Sequence, residues 1–213
     1  MIFQGRKEAS ELLAKKLGQC KNKKSALVLA IPRGGVETGY YLAKSLKLRL
    51  DIIITKKIGA PENPELAIGA VGPGKTVYLN QEIIELYGIS KGYIEKESAK
   101  IEKTIKGKYR LFSGNRKPPE IKNKTIILTD DGVATGATIL VAAIYIKKQK
   151  PKKLIIAVPV CLEEVLGQLK EIADDVFCLS TDLVMGAVGA CYRNFHQLTD
   201  EEVIGYLKLL DKQ

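Results

Sequence analysis

The residues best suited to chemistry lie in the stretch from Ile126 to Thr138, where two adjacent carboxylates, Asp130 and Asp131, follow an apolar run. Residues 126–128 show no polar alternation, which predicts a strand that is covered on both faces, as in a parallel sheet. Open α/β sheets bind their ligands at the carboxyl ends of the strands. A carboxylate is costly to bury there without a cationic or hydroxyl partner. We therefore expect the acid pair to meet such a partner at that edge.

Small and hydroxyl-bearing residues follow the acid pair and lead into an apolar run of helical period at 139–148. Free backbone N–H groups and the positive end of a helix dipole attract an anion, and small residues let it approach the backbone closely. The stretch predicts a phosphate-binding loop, with an ordinary strand, turn and helix cap as the alternative. Its residues are Ala134, Thr135, Gly136, Ala137 and Thr138.

An apolar strand, two acids, a short loop and Thr-Gly-x-Thr together resemble the phosphoribosyl pyrophosphate (PRPP) motif of the type I phosphoribosyltransferases. The resemblance implies that Asp130 and Asp131 are catalytic and meet the ribose 2′ and 3′ hydroxyls, directly or through Mg²⁺ and its water. It also implies that residues 134–138 wrap the 5′-phosphate of PRPP.

A second glycine-rich turn, Pro32-Arg33-Gly34-Gly35, follows the apolar residues 26–31 and precedes a helical run at 36–46. Adjacent glycines permit a strained turn with inward-pointing amides, and Arg33 supplies positive charge for an anion. An ordinary strand-to-helix turn is the alternative. By the resemblance, Arg33 is catalytic and binds pyrophosphate together with Gly34 and Gly35. The dinucleotide-binding pattern GxGxxG is absent here.

Two lysines, Lys56 and Lys57, follow a third apolar strand predicted at 51–55. They repel each other unless they are solvated or paired with an anion, and a solvated pair is the alternative to a site. Adenine-type members of the family carry a basic pair at this place. The resemblance therefore implies that one of the two binds pyrophosphate, with Lys57 also counted as catalytic.

Strands predicted at 154–160 and 175–179 continue an alternation of strands and helices, which implies a parallel sheet with right-handed crossovers. The predicted fold class is α/β, with the Rossmann-like core of the type I phosphoribosyltransferases and helices on both faces. A chain of 213 residues suits one domain, 1–213. Residues 60–120 are expected to form a lid and a charged helical appendage, and residues 60–80 to fold over the site.

The C-terminal stretch, 180–213, changes to small and mixed residues and is expected to complete a hood with a nucleobase pocket. Plain core packing is the alternative for these side chains. His196 has no visible catalytic partners, and Thr199 with Glu202 predicts a capping box for a last helix. The candidate base-binding residues are Val188, Gly189, Tyr192 and Phe195.

The composition favours anionic partners, because 34 Lys and Arg against 24 Asp and Glu give a formal charge of +10. The lysines are spread along the chain, so dedicated nucleic-acid binding is not favoured.

Four widely spaced cysteines and one histidine do not form a zinc motif. Neither a signal peptide nor a membrane-spanning run is visible, so we expect a cytoplasmic protein with no membrane partner. Whether the protein forms a homodimer stays an open question.

The resemblance implies a Mg²⁺-dependent transfer of the phosphoribosyl group of PRPP to a nitrogenous base, with release of pyrophosphate, as in nucleotide salvage. Enzymes for 6-oxopurines place an aspartate next to the Thr-Gly, but this chain has Ala134, which puts hypoxanthine and guanine in doubt. Glu65 is a replacement base only by elimination. The alternative function is a non-catalytic PRPP-sensing regulator that binds nucleic acid.

Overall fold

Two β-sheets organise the computed structural model, which describes residues 1–114, 116–183 and 186–210. The strands of the described chain are β1 (Ala26–Ala30), β2 (Arg49–Ile52), β3 (Lys56–Gly59), β4 (Ala67–Val71), β5 (Val77–Leu79), β6 (Thr125–Thr129), β7 (Lys153–Val160) and β8 (Asp175–Ser180). Five of them form a parallel sheet in the order β2-β1-β6-β7-β8, and the other three form an antiparallel sheet in the order β3-β4-β5.

Helices cover both faces of the parallel sheet. The helices of the described chain are α1 (Arg6–Lys16), α2 (Gly34–Leu46), α3 (Gln81–Leu86), α4 (Lys91–Ser113), α5 (Ala137–Lys148), α6 (Glu163–Ile172) and α7 (Asp200–Leu210). Along β1, Val28 packs in a cluster with residues of α1, α2 and α7, while Leu27 and Leu29 pack in a cluster with residues of α5 and α6. Both faces of the strand are therefore buried, and the predicted α/β class with a parallel core is confirmed.

The antiparallel sheet changes the surroundings of the lysine pair. The predicted strand at 51–55 ends at Ile52, and Lys56 begins β3, which pairs with β4. The N–H of Ile53 still donates to Ala30 O at 3.0 Å, so contact with β1 extends one residue beyond the end of β2. An apolar run alone could not indicate this break, because the pairing partner of Lys56 is Val71, which comes later in the chain.

Strand β4 is buried along its whole length, which ties the 60–80 region to the core. Ala70 of this strand packs with Ala137 and Val141 of α5. The antiparallel sheet thus lies against the helix that follows the predicted phosphate loop. Movement of residues 60–80 as a lid stays a prediction, as does the single-domain boundary 1–213.

The N-terminal residues pair with the segment that precedes α7. The N–H of Phe3 donates to Cys191 O and the N–H of Arg193 donates to Phe3 O, both at 2.8 Å. The capping box of α7 is confirmed, because Thr199 N donates to Glu202 Oε2 at 2.7 Å and Glu202 N donates to Thr199 Oγ1 at 3.2 Å. All four cysteines are free thiols. Within the described residues, no helix has the length and apolar character needed to cross a membrane.

Candidate active site

The acid pair lies at the carboxyl end of β6, as the sequence predicts. The strand ends at Thr129, whose hydroxyl is buried and donates to Ala157 O of β7 at 2.7 Å. Asp130 and Asp131 follow, both partly buried, and Asp131 N donates to Asp130 Oδ1 at 2.8 Å. The two carboxylates thus directly follow a strand that is buried from Ile126 to Thr129.

Arg6, which the sequence analysis missed, holds one of these carboxylates. Its Nη2 lies 2.8 Å and its Nε 2.9 Å from Asp131 Oδ2. Its Nη1 donates to Glu37 Oε2 at 3.2 Å and to His196 O at 2.8 Å. The residue is only 4% exposed, and its guanidinium stacks on the Phe195 ring at 4.2 Å. A charged residue at the start of an amphipathic helix gives no sign of such a partner 125 residues away.

The two carboxyl groups differ in their electrostatics. Burial raises the pKa of Asp130 well above its usual range, and the neighbouring charge of Asp131 adds to the effect. Burial also raises the pKa of Asp131, but the positive charge and hydrogen bonds of Arg6 act in the opposite direction. The pair therefore carries its negative charge more easily on Asp131. Asp130 needs a ligand or a cation to ionise at low cost.

The two glycines of the predicted turn are the first residues of α2, which begins at Gly34 and not at residue 36 as expected, and they press directly on the acid pair. A Cβ atom on Gly34 would lie 1.9 Å from Asp131 Oδ2, and one on Gly35 would lie 2.7 Å from Asp130 Oδ1. Only residues without a side chain fit there. The structure thus brings together the two loops that the sequence analysis selected separately. The side chain of Arg33, in contrast, is 45% exposed and lies 3.8 Å from Asp200 Oδ1.

The predicted phosphate loop offers free hydrogen-bond donors. Gly136 precedes α5 with φ of 76°, and a Cβ there would lie 2.5 Å from Val165 Cγ1, so the position requires glycine. In the described chain, the five N–H groups of residues 134–138 have no hydrogen-bond acceptor. Val133 anchors the loop, because its N–H donates to Val160 O at 2.8 Å. Amides free at the start of a helix form a seat for an anion.

A cavity of about 400 Å³ opens beside this loop, between it and the antiparallel sheet. Ala134 and Thr135 line it from the loop, and Glu65 and Tyr78 line it from the region expected to act as a lid. Thr135 is exposed and Thr138 is half-buried. Glu65 therefore shares a cavity with the predicted phosphate seat.

The two predicted pyrophosphate lysines take different positions. Lys56 and Arg33 line a common cavity of about 220 Å³. Lys57 is exposed and does not line it, because successive side chains of a strand point to opposite faces. Of the two, Lys56 is therefore placed with the glycine turn.

The candidate base-binding segment adjoins the acid pair but is closely packed. Val188 lies against Gly132, where a Cβ would come within 2.4 Å of Val188 Cγ1. Tyr192 is 5% exposed, and its ring packs between Phe3 and Phe195 with centroids 5.6 and 5.4 Å away. Its hydroxyl donates to the backbone oxygen of Asp131, and burial raises its pKa.

These contacts favour core packing over base stacking for the two aromatic residues. Tyr192 has ring neighbours on both sides, and Arg6 stacks on Phe195. Gly189 in turn packs on the Phe195 ring, which a Cβ would approach to 2.9 Å. His196 is exposed, with Nε2 2.9 Å from Glu202 Oε2, so it lies on the surface.

Comparison with known proteins decides the family. The model of the phosphoribosyl transferase domain matches residues 2–193. The chain belongs to the phosphoribosyltransferase family. Two Mycobacterium tuberculosis proteins with provisional phosphoribosyl transferase names, MT0597 and Rv0571c, are each 32% identical to this chain over 206 residues. That alignment covers 97% of this chain but 46% of theirs, so the chain spans about half the length of these relatives.

Two solved structures are similar to this chain. The protein TT1426 from Thermus thermophilus is 35% identical with a TM-score of 0.80, covering 97% of this chain and 98% of its own. AQ2163 from Aquifex aeolicus is 15% identical with a TM-score of 0.50, covering 82% of this chain and 74% of its own. At that identity AQ2163 shares the fold alone.

Proposed function

We propose that the protein transfers the 5-phosphoribosyl group of PRPP to a nitrogenous acceptor and releases pyrophosphate. One observation carries the proposal, the meeting of three parts at the carboxyl edge of the parallel sheet. The acid pair is pressed against the Gly34-Gly35 turn, and the unpaired amides of residues 134–138 follow on the same loop. Membership of the phosphoribosyltransferase family supports the same chemistry.

Each part suits one portion of PRPP. The free amides of residues 134–138 suit the 5′-phosphate, with Thr135 and Thr138 as added hydroxyl donors. Asp131, oriented by Arg6, suits the ribose hydroxyls as a hydrogen-bond acceptor. Positive charge develops on the ribose ring and negative charge on the leaving pyrophosphate. Preoriented acceptors and anion clamps therefore stabilise the transition state more than a protein nucleophile would.

Mg²⁺ fits the donor set of Asp130 better than that of Asp131. Hard carboxylate oxygens are what this ion binds, with water and substrate oxygens completing its shell. In the described chain Asp130 forms no ion pair, whereas Asp131 Oδ2 already accepts from Arg6. No group of three or more His, Cys, Asp or Glu within the described residues is placed to hold a metal ion. The bound ion would supply neutralising charge to the pyrophosphate.

The acceptor in this proposal is a nucleobase that needs no aspartate beside the Thr-Gly. Ala134 leaves that position without a proton acceptor. Glu65 lines the same cavity as Ala134 and Thr135 and is the carboxylate we assign as base. Val188 lies against Gly132 in the loop after β6. Val188 and its neighbour Gly189 remain our candidates for contacting the edge of the acceptor.

An acceptor screen tests this function. The protein is incubated with PRPP, Mg²⁺ and single nucleobases or amines, and pyrophosphate release is followed. We expect one acceptor to support turnover, and Asp131→Asn or Arg33→Ala to reduce the rate at least about 100-fold, as loss of a transition-state contact does. Tight PRPP binding without release above the blank for any acceptor would contradict the proposal.

A regulator that senses PRPP without turnover is the second candidate. A cavity lined by basic residues at the opposite edge of the parallel sheet from the acid pair favours it. This cavity of about 630 Å³ lies at the amino ends of β1, β2 and β6. Asp51 and Glu120 also line it. Its basic residues are Lys24, Arg49, Arg116, Lys117 and Lys124. Basic side chains that contact phosphates make nucleic-acid affinity fall steeply with salt. Fluorescence anisotropy with labelled RNA and DNA, with and without PRPP, tests for this binding.

A further inference from the structure

Three positive side chains from three separate elements line one small cavity. Arg33 comes from the turn before α2, Lys56 from the start of β3, and Lys108 from the middle of α4. The cavity measures about 220 Å³, which is below the roughly 300 Å³ at which pockets for drug-sized ligands begin. Such a space suits a small, highly charged anion rather than a whole nucleotide.

One carboxylate lies close to two of these three cations. Asp200 Oδ1, at the first residue of α7, lies 3.8 Å from Arg33 Nη1 and 3.7 Å from Lys108 Nζ. Both distances are too long for a hydrogen bond, and this oxygen is buried with no hydrogen-bond partner in the described chain. The three side chains are between 30% and 45% exposed. The contact is therefore loose, and an anion with better geometry can replace it.

A buried hydroxyl beside the same cavity also lacks a partner. Thr55 lines the cavity, and its Oγ1 forms no hydrogen bond within the described residues. A buried polar atom without a partner is destabilising and is rare in folded proteins. A phosphate oxygen in the cavity would accept a hydrogen bond from this hydroxyl. Thr55 thus adds a neutral donor to the three positive charges.

We propose that Lys108 is a third cation of the pyrophosphate seat, and that Asp200 is a resident counter-anion which pyrophosphate displaces. This inference rests on the proposed function and deepens it, because it assigns a site for the leaving group. Bound pyrophosphate pairs with Arg33, Lys56 and Lys108, and the Asp200 carboxylate moves into solvent. Asp200 therefore lowers the affinity for pyrophosphate and helps its release, while Lys108 raises that affinity.

Matched variants measured by calorimetric titration of sodium pyrophosphate with Mg²⁺ test the inference. Lys108→Ala should weaken binding at least about tenfold, as loss of a charge-assisted contact does. Lys106→Ala is its control, because this lysine lies on the same helix, is 67% exposed and pairs with Glu102 at 2.7 Å. The control should bind as the wild-type protein does. Equal binding by the two variants would overturn the role of Lys108.

The role of Asp200 has its own matched pair. Asp200→Asn should tighten pyrophosphate binding about tenfold. Glu201→Gln removes the same charge from the first turn of α7, where no contact with Arg33 or Lys108 occurs in the described chain. It should leave the affinity unchanged. Equal tightening by both variants would show that the effect comes from net charge alone, and it would overturn the displacement of Asp200 by pyrophosphate.

Failure of this inference can be told apart from failure of the proposed function. Pyrophosphate binding that depends on Lys108, in a protein that releases none from PRPP with any acceptor, supports the seat and contradicts the transferase. Turnover of PRPP in Lys108→Ala with wild-type affinity for pyrophosphate supports the transferase and overturns the seat.

Discussion

Arg6 Nη2 lies 2.8 Å from Asp131 Oδ2, so the first helix of the chain fixes a carboxylate at the end of β6. The same guanidinium also binds Glu37 and the backbone of His196. It thereby joins α1, α2 and the C-terminal segment around one oxygen of the acid pair. This contact separates the roles of two adjacent aspartates, because Asp131 has a buried cation and Asp130 has none in the described chain.

Arg6→Met is expected to destabilise the protein by about 3 kcal/mol, because it leaves the buried carboxylate of Asp131 without its cationic partner. The lost contact with Glu37 adds to that cost. Urea unfolding at pH 7 measures the change. A variant as stable as the wild-type protein would contradict the strength that we assign to the pair.

Asp130→Asn is expected to have the opposite sign at neutral pH. Burial and the charge of Asp131 raise the pKa of Asp130 in the folded state. Its contribution to stability is therefore full below the unfolded pKa, about 3.9, and is lost as pH rises through the folded pKa. Each unit of raised pKa corresponds to about 1.4 kcal/mol.

Urea unfolding of this variant across pH checks that sign. The Asp130→Asn variant should be more stable than the wild-type protein at pH 7, and the gap should shrink towards zero near pH 4. A gap that stays constant with pH, or that has the reverse sign at pH 7, would show that Asp130 is ionised at little cost.

Arg6→Lys keeps the charge but removes the planar fork that contacts Asp131 through two nitrogens. We expect the rate of pyrophosphate release to fall at least about tenfold, because Asp131 loses its fixed orientation. The folded state should persist by circular dichroism. Lys7→Arg is the matched control, since Lys7 is an exposed neighbour on the same helix. Wild-type turnover in Arg6→Lys would show that the reaction does not depend on the orientation of Asp131 by Arg6.

Gly34→Ala places a Cβ 1.9 Å from Asp131 Oδ2, so the turn and the acid pair must move apart. Overpacking of this kind costs about 1–3 kcal/mol and should abolish turnover. In contrast, a Cβ on Gly92 in α4 meets nothing within 4 Å. Gly92→Ala should therefore raise stability by about 0.5–1 kcal/mol and leave activity intact. Thermal unfolding and the pyrophosphate assay compare the pair, and normal activity in Gly34→Ala would contradict the close contact.

Gly136→Ala tests the phosphate loop. Its φ of 76° costs a non-glycine residue about 1–2 kcal/mol, and the contact with Val165 adds to that. We expect weaker binding of ribose 5-phosphate, measured by calorimetry. Gly167→Ala in α6 is the control, because its Cβ would meet nothing within 4 Å. Unchanged affinity in a folded Gly136→Ala variant would argue against this loop as the seat.

The sequence was sufficient for those parts of the site that are local. The acid pair, the Gly34-Gly35 turn and the loop at 134–138 each follow a buried strand, and the strands of a parallel sheet all end at one edge. The family resemblance was confirmed by the phosphoribosyl transferase domain model, which matches residues 2–193. Their roles, and the Mg²⁺ requirement, stay predictions.

Long-range contacts could not be predicted in this way. Arg6 reaches Asp131 across 125 residues, and Lys108 meets Asp200 only because α4 and α7 pack together. The separation of Lys56 from Lys57 depends on a strand pairing with residues further along the chain. Hydrophobic periodicity reports which face of an element is buried, but it does not report which partner covers that face.

A crystal structure of the protein with PRPP and Mg²⁺ would show which residues hold each part of the substrate. The proposed site predicts the 5′-phosphate on the amides of residues 134–138, and the ribose hydroxyls beside Asp130 and Asp131. It places the pyrophosphate next to Arg33 and Lys56. A PRPP molecule bound elsewhere, or a 134–138 loop filled by packed side chains while PRPP is bound, would contradict it.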